Sequence, residues 1–322
     1  MSAVRKVAAI TGGSAGIGLS ICEHFLARDY DVISIARRSC ELKNRRLHSV
    51  EVDLTDRAAT TAVARELAAK FEAYRNDKAA AKDRRDQSRA RLDEAGRLGR
   101  ALRLPLLANA AGPILREADR RRLLGSHFIV VGTNAMVAYA IEAGGFMREA
   151  PDETDDFDIA WTATEAERGD RVVWDMLKAV DATFTVNLER TFQARNAKAY
   201  EVEILVAPSR AATMGRTDQP RPVPMPEQEW LLLGQKVDHV VICRDGSPAR
   251  IVAPDPRWYA LQKLWLGRQA KRHPLKRPKD LKQGAALLNA VRHVMPQYPL
   301  DAAFERSLPQ DLVEPYREWK GR

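Results

Sequence analysis

Residues 128–133 read FIVVGT, residues 154–161 read TDDFDIAW and residues 199–206 read AYEVEILV. The first stretch is a short apolar strand that ends at Gly132-Thr133, and an amphipathic helix over Asn134–Ala143 follows. Successive side chains of a strand point to opposite faces. Asp156 and Asp158 therefore share one face of the second stretch, with Phe157 and Ile159 on the other. The third stretch repeats the pattern with Glu201 and Glu203. Adjacent carboxylates repel and cost stability unless a cation stands between them. Mg2+ suits such a pair, because it takes one or two carboxylates together with phosphate oxygens. The order is strand, Gly-Thr turn, helix, Asp-x-Asp strand, helix over about Glu165–Ala179, then a strand with an acid. That order brings a glycine turn and three carboxylates to one sheet edge, an array suited to in-line nucleotidyl transfer with two metal ions. Asp156, Asp158 and Glu203 are the expected catalytic and metal-binding residues. Gly132 and Thr133 are expected to meet a nucleoside triphosphate through backbone N–H and hydroxyl. The competing reading is a solvated acidic loop made by Asp152, Glu153, Asp155, Asp156 and Asp158.

These stretches resemble the polymerase-beta-like nucleotidyltransferase superfamily, and more narrowly a bacterial branch of nucleotidyltransferase-fold proteins. The resemblance covers about residues 100–295 and takes in PILREADRRRLLG (113–125), VVICRDGSPARIVAPDPRWYALQKLWL (240–266) and PLKRPKDLKQ (274–283). It implies a Mg2+-dependent enzyme that transfers a nucleoside monophosphate from a triphosphate to a hydroxyl on RNA or protein. One departure stands out: Glu203 occupies a position where the family usually shows Asp, and its extra methylene shifts the carboxylate. A non-catalytic binding module on the same fold is the bland alternative.

Arg268–Lys282 holds seven Lys/Arg and His273 in fifteen residues. Lysines beside the carboxylates neutralise a triphosphate or grip a nucleic-acid acceptor. Lys263, Lys276 and Lys279 are the candidates for nucleotide contact, and Asp280 is given no chemistry. The plainer alternative is a solvated helix surface.

The N-terminal region carries a different signal. Lys6–Thr11, Asp31–Ala36 and His48–Leu54 read as strands separated by a helix over Gly16–Arg28, with a second helix over Arg57–Phe71. Apolar strands alternating with helices argue for a parallel sheet. Thr11-Gly-Gly-Ser-Ala-Gly-Ile-Gly18 follows the first strand and opens a helix, where glycines let the backbone approach a pyrophosphate at the helix N-terminus. Gly12, Ser14, Gly16, Ile17 and Gly18 are the candidate dinucleotide contacts. Arg37 and Arg38 stand after the second strand, where positive charge meets a 2′-phosphate and favours NADP. Asp53 is placed to accept from an adenine amino group. TGGSAGIG, the ARR at 36–38 and VDLTD at 52–56 resemble the opening of a short-chain dehydrogenase/reductase over about residues 4–73. That family also needs a Tyr-x-x-x-Lys pair. Tyr74/Lys78 stands too early in the chain, and Tyr259/Lys263 falls inside the other resemblance. The implied oxidoreductase is the alternative activity, with the first segment a truncated dinucleotide-binding half.

Composition frames these readings. The chain has 322 residues, 45% hydrophobic and 30% charged, with net charge +9 and three cysteines. Such values fit about two globular domains and argue against disorder. No apolar run has the roughly 18 residues of a membrane span. Scattered cysteines point to a reducing cytoplasm. The expected fold class is α/β and α+β. It comprises a partial Rossmann-like parallel segment (1–72), a charged helical linker (73–104), a nucleotidyltransferase core with a mixed sheet (105–210) and a mainly helical C-terminal region (211–322). Three parallel strands leave an open edge, a possible route to oligomers.

Overall fold

The structure is a computed structural model, and it describes residues 6–102, 104–145, 147, 156–165 and 171–321. Asp152, Glu153 and Asp155 of the acidic stretch lie outside these residues. The chain forms two compact units, Met1–Ser88 and Arg89–Arg322.

In the first unit, β1 (Val7–Thr11), α1 (Gly16–Leu26), β2 (Asp31–Ala36) and β3 (Leu47–Glu51) build a three-stranded parallel sheet of order β1-β2-β3. Ile10, Cys22, Leu26 and Val32 form a small core, with Phe25, Tyr30, Leu42 and Leu47 packed against it. The turn between β1 and α1 depends on close approach: a Cβ on Gly18 would stand 2.2 Å from the Gly12 carbonyl oxygen. The helix expected over Arg57–Phe71 and the charged helical stretch after it are one element, α2 (Arg57–Ala101), of 45 residues. Its buried residues are Gly96 and Gly99, near the C-terminal end. A run of good helix formers without Pro gives the chain no reason to break, so the boundary expected at Phe71 does not form.

The second unit continues with β4 (Leu106–Leu107), α3 (Ala111–Arg120), β5 (Phe128–Val130), α4 (Ala135–Glu142), β6 (Asp156–Trp161), α5 (Val172–Val180), β7 (Thr185–Val186), β8 (Gln193–Arg195) and β9 (Glu201–Val206). Then come β10 (Val237–Cys243), β11 (Pro248–Ala253), α6 (Pro256–Leu266), α7 (Lys276–Val294), α8 (Ala302–Arg306) and α9 (Gln310–Lys320). A mixed five-stranded sheet runs in the order β5-β6-β9-β8-β7, with β6 and β9 parallel and the other pairs antiparallel. A smaller sheet has the order β11-β10-β4, and two of its strands, β10 and β11, fall in the 211–322 region whose sequence reads as mainly helical. Here the β10–β11 hairpin recruits β4 as a parallel partner from more than 130 residues earlier in the chain. Phe128, Phe157, Ile159, Trp161, Val202 and Ile204 are fully buried in one continuous core with Tyr139, Tyr259 and Leu261. The parallel first sheet, the mixed later sheets and the C-terminal helices agree with the expected fold class. No described helix is long and apolar enough to cross a membrane.

The helix expected over Glu165–Ala179 is described from Val172 onward. Its N-terminus is capped from a distance. The carboxylate of Asp218, 1% exposed, accepts from the backbone N–H of Val173 and Trp174, each at 2.9 Å, and from that of Gln219 at 2.8 Å. Asp218→Ala would leave these donors buried without an acceptor, a cost of about 1–3 kcal/mol. Urea denaturation should show that loss, and a change within a few tenths of a kcal/mol would contradict the capping role.

Candidate active site

The turn after β5 begins the site. Gly132 has φ +64°, and a Cβ there would fall 1.9 Å from Oδ2 of Asp158. Only glycine fits, because an L side chain is strained at that angle and the carboxylate already fills the space. The turn is pinned on several sides. Val131 N–H donates to the Asp158 carbonyl at 3.0 Å, and Asn134 Nδ2 donates to the Asp156 carbonyl at 2.8 Å. The Tyr259 hydroxyl donates to the Gly132 carbonyl, and Gln283 Nε2 reaches Thr133 Oγ1 at 3.4 Å. Elements from opposite ends of the unit thus hold the glycine turn against β6.

The strand register aligns the acids. β6 pairs with β9 so that Asp156 stands opposite Glu201 and Asp158 opposite Glu203. Side chains alternate in step on paired strands, so all four carboxylates share one face, while Phe157, Val202, Ile159 and Ile204 enter the core. The face is electrostatically costly. Burial, then the charge of Asp156, then that of Glu203 push the Asp158 carboxyl up to about 7, against the pull of Lys263 and Lys276. The Tyr200 phenol, beside β9, is pushed up as well, by burial and then by Asp156 and Asp158.

The basic residues divide into two kinds. Lys276, at the start of α7, places Nζ 3.6 Å from Asp156 Oδ2 with about half its side chain exposed, so it is available to an incoming anion. Burial, then the charge of Lys263, lower the Lys279 ammonium. Lys263 is 5% exposed, and its ammonium is 2.9 Å from Asp280 Oδ1. Asp280 also takes Arg272 Nε on Oδ2 at 2.7 Å. The sequence reading makes Lys263 a nucleotide contact and leaves Asp280 without a task. In the structure Lys263 is committed to an internal ion pair, and Asp280 joins α6, α7 and the connection between them. Removing one member of such a buried pair strands the other charge, which is the costly half of the exchange. The Tyr259/Lys263 pair is likewise spent, since its hydroxyl serves Gly132 and its ammonium serves Asp280.

A metal is implied by the carboxylate pair, and the donor set can be tested for fit. Among the described residues no three His, Cys, Asp or Glu side chains form a preformed cage. Asp156 and Asp158 alone match an ion that needs only one or two protein carboxylates and takes phosphate oxygens for the rest. Burial first, and then the neighbouring acids, make the ionised Asp158 costly, a cost that a divalent cation beside it would offset. Glu203 accepts at Oε1 from Gln193 Nε2 at 3.0 Å. Gln193 is a site residue that the sequence does not flag, because its link to Glu203 exists only once β8 pairs with β9.

In the first unit, Gly12 and Gly16 both have positive φ, at +69° and +55°. Arg37, Arg38 and Ile17 are exposed, and Ser14 is half-buried. Asp53 Oδ1 accepts from the Thr55 N–H at 2.9 Å and the Thr55 hydroxyl at 2.8 Å, which lowers its carboxyl.

The comparisons divide along the same lines. A family model described as nucleotidyltransferase matches residues 109–309, and one described as short chain dehydrogenase matches residues 6–74. Among solved structures, an antigenic nucleotidyltransferase-like protein from Paracoccidioides brasiliensis is 15% identical, covering 66% of this chain and 88% of that one, with TM-score 0.35. A short chain dehydrogenase from Leptospira borgpetersenii with bound NAD+ is 26% identical over 21% of this chain and 28% of its own, with TM-score 0.20. A short-chain dehydrogenase/reductase from Burkholderia vietnamiensis is 34% identical over 18% and 30%, with TM-score 0.18. The chain spans less than a third of those two dehydrogenases. No curated protein matches with significance.

The Asp158 carboxyl gives the site a pH signature. A carboxyl raised from 3.8 to about 7 binds its proton more tightly in the folded state. It therefore withdraws stability as pH rises between those values. Asp158→Asn, which cannot ionise, should gain stability relative to the wild-type chain across that window when neither is given a metal. Parallel stability curves from pH 4 to 8 would contradict the placement of this charge.

Proposed function

Because the chain belongs to the nucleotidyltransferase family, whose model spans residues 109–309, we propose that it transfers a nucleoside monophosphate from a nucleoside triphosphate to a hydroxyl on RNA or protein. The observation that carries this reading is Asp156 and Asp158 on one face of β6, with the Gly132-Thr133 turn packed against the second carboxylate. Asp156 and Asp158 would hold Mg2+, and Glu203 is the candidate third ligand for a second ion. The bound cation supplies charge neutralisation and polarisation of the phosphoryl oxygens. The chain's own groups do the rest. Gly132 and Thr133 offer backbone N–H and hydroxyl to the triphosphate. Lys276 adds positive charge next to Asp156, and Lys279 is a further candidate. The acceptor oxygen forms a bond to the α-phosphorus while the bond from that phosphorus to the bridging oxygen breaks. Pyrophosphate leaves, and the hydroxyl proton passes to a carboxylate of the row or to water. Alignment of the two reacting oxygens is worth several kcal/mol when both substrates are held.

A second reading concerns the first unit. Its glycine turn and the exposed Arg37 and Arg38 favour binding of an NADP-like dinucleotide phosphate, contacted by Gly12, Ser14, Gly16, Ile17 and Gly18. Asp53 is the candidate adenine contact, although Thr55 already occupies one of its oxygens. Among the described residues β1 and β3 each pair on one side only, which is a route to self-association. Reductase chemistry gains no support from Tyr259 and Lys263, because both are committed inside the second unit.

The test is Mg2+-dependent transfer of label from α-32P nucleoside triphosphates to total RNA and protein. The wild-type chain should label one acceptor class, and Asp156→Ala/Asp158→Ala should lose the label entirely. Folded wild-type protein that labels neither acceptor, with any nucleotide or metal, would overturn the reading.

A further inference from the structure

One buried amide supports the carboxylate row without belonging to it. Gln193, on β8, is 1% exposed and stands directly opposite Glu203 in the antiparallel pairing of β8 with β9. Its Nε2 donates to Glu201 Oε2 at 2.9 Å and to Glu203 Oε1 at 3.0 Å. Its Oε1 accepts from Asn187 Nδ2 at 2.7 Å. The amide fits only this way round. Reversed, its oxygen would face two carboxylate oxygens and its NH2 would face that of Asn187. Asn187 is fixed in turn, because its Oδ1 accepts from the N–H of Glu189 at 3.0 Å and of Arg190 at 3.2 Å. The 187–190 turn thus orients Asn187, Asn187 orients Gln193, and Gln193 spends one amide hydrogen on each acid of β9.

The consequence falls on Glu203. Glutamate carries one more rotatable bond than aspartate, so strand placement alone leaves its carboxylate free to swing. Asp158, opposite it, repels it, and so does Glu201 two residues before it on the same face. A donor shared between Glu201 and Glu203 turns a repelling pair into a bonded one and takes up Oε1 of Glu203. We propose that Gln193 is a positioning residue of the transfer site, holding Glu203 by Oε1 so that its other oxygen faces the cation and the acceptor hydroxyl. This rests on the nucleotidyl-transfer reading, and it explains how a glutamate serves where a shorter acid would need no tether.

The experiment is a double-mutant cycle with Gln193→Met, which keeps the volume and removes both polar atoms, and Glu203→Gln. Gln193→Glu is the second variant, placing an acceptor-only group against two carboxylates. Each protein is first shown to be folded by its melting curve. Transfer kinetics and Mn2+ affinity, the latter read by electron paramagnetic resonance, are then measured on all of them. Loss of a group that orients a ligand typically costs about 10- to 100-fold in activity or metal affinity. Gln193→Met should show a loss of that size in kcat, with KM for the nucleotide nearly unchanged, and a matching weakening of Mn2+ binding. In the Glu203→Gln background the same substitution should cost nothing further. Equal losses in both backgrounds would overturn the proposal, because Gln193 would then act through something other than Glu203. The Mn2+ data separate the two claims. The expected Mn2+ pattern in a wild-type protein that transfers nothing would sink the transfer reading and leave the role of Gln193 standing. Mn2+ binding indifferent to Gln193 in both backgrounds would overturn that role whatever the transfer assay gives.

Discussion

A carboxylate oxygen of Asp158 occupies the space where a side chain at position 132 would begin. That steric fact organises the second unit. It requires glycine at the turn and brings the backbone after β5 flush against β6. It also lets Tyr259 from α6 and Gln283 from α7 close over the turn. The hydrophobic core supplies the stability that makes this arrangement possible. Phe157, Ile159, Val202 and Ile204 are fully buried on the reverse of the same two strands that carry the acids. Strand alternation converts that burial into a geometry, because each core residue forces its neighbour onto the polar face.

The polar face is accordingly a costly place for negative charge. Desolvation and the neighbouring acids drive the Asp158 carboxyl up to about 7, although Lys263 and Lys276 pull the other way. Lys263 achieves this while bound to Asp280, so an internal ion pair doubles as part of the electrostatic setting of the site. Lys276 is the partly exposed charge beside Asp156. Strongly shifted ionisable groups of this kind cluster at functional sites, although structural ion-pair networks shift them as well.

How much of this was legible in the sequence follows from how local each signal is. The glycine loop before α1, the FIVVGT turn and the alternation of DFDIA depend on residues within one turn or strand, and the structure has them where the spacing puts them. The helical character of both halves of α2 is legible, but their continuity is not, because a run of helix formers carries no mark of where a helix ends. The hairpin of β10 and β11 turns locally at Asp245-Gly246, but the pairing that makes it a three-stranded sheet is not local, because β4 arrives from more than 130 residues away. The same holds for polar partners. Asp218 caps α5 from 44 and 45 residues away. Asp280 meets Lys263 across two helices, and Gln193 meets Glu203 only through sheet pairing. Local pattern gives the residue types of the site, whereas tertiary contact decides which of them are committed to structure and which remain for chemistry.

On the nucleotidyl-transfer reading proposed above, a divalent cation and a triphosphate together offset the cost that burial and the neighbouring acids place on Asp158 beside Asp156. The most direct measurement is the melting temperature at pH 8 as Mn2+ and a non-hydrolysable nucleoside triphosphate are added, singly and together. A ligand that binds only the folded state raises stability by mass action. The wild-type chain should show a rise, largest with both ligands present, and Asp156→Asn/Asp158→Asn should show none. An equal rise in both proteins, or none in the wild-type chain, would contradict that reading.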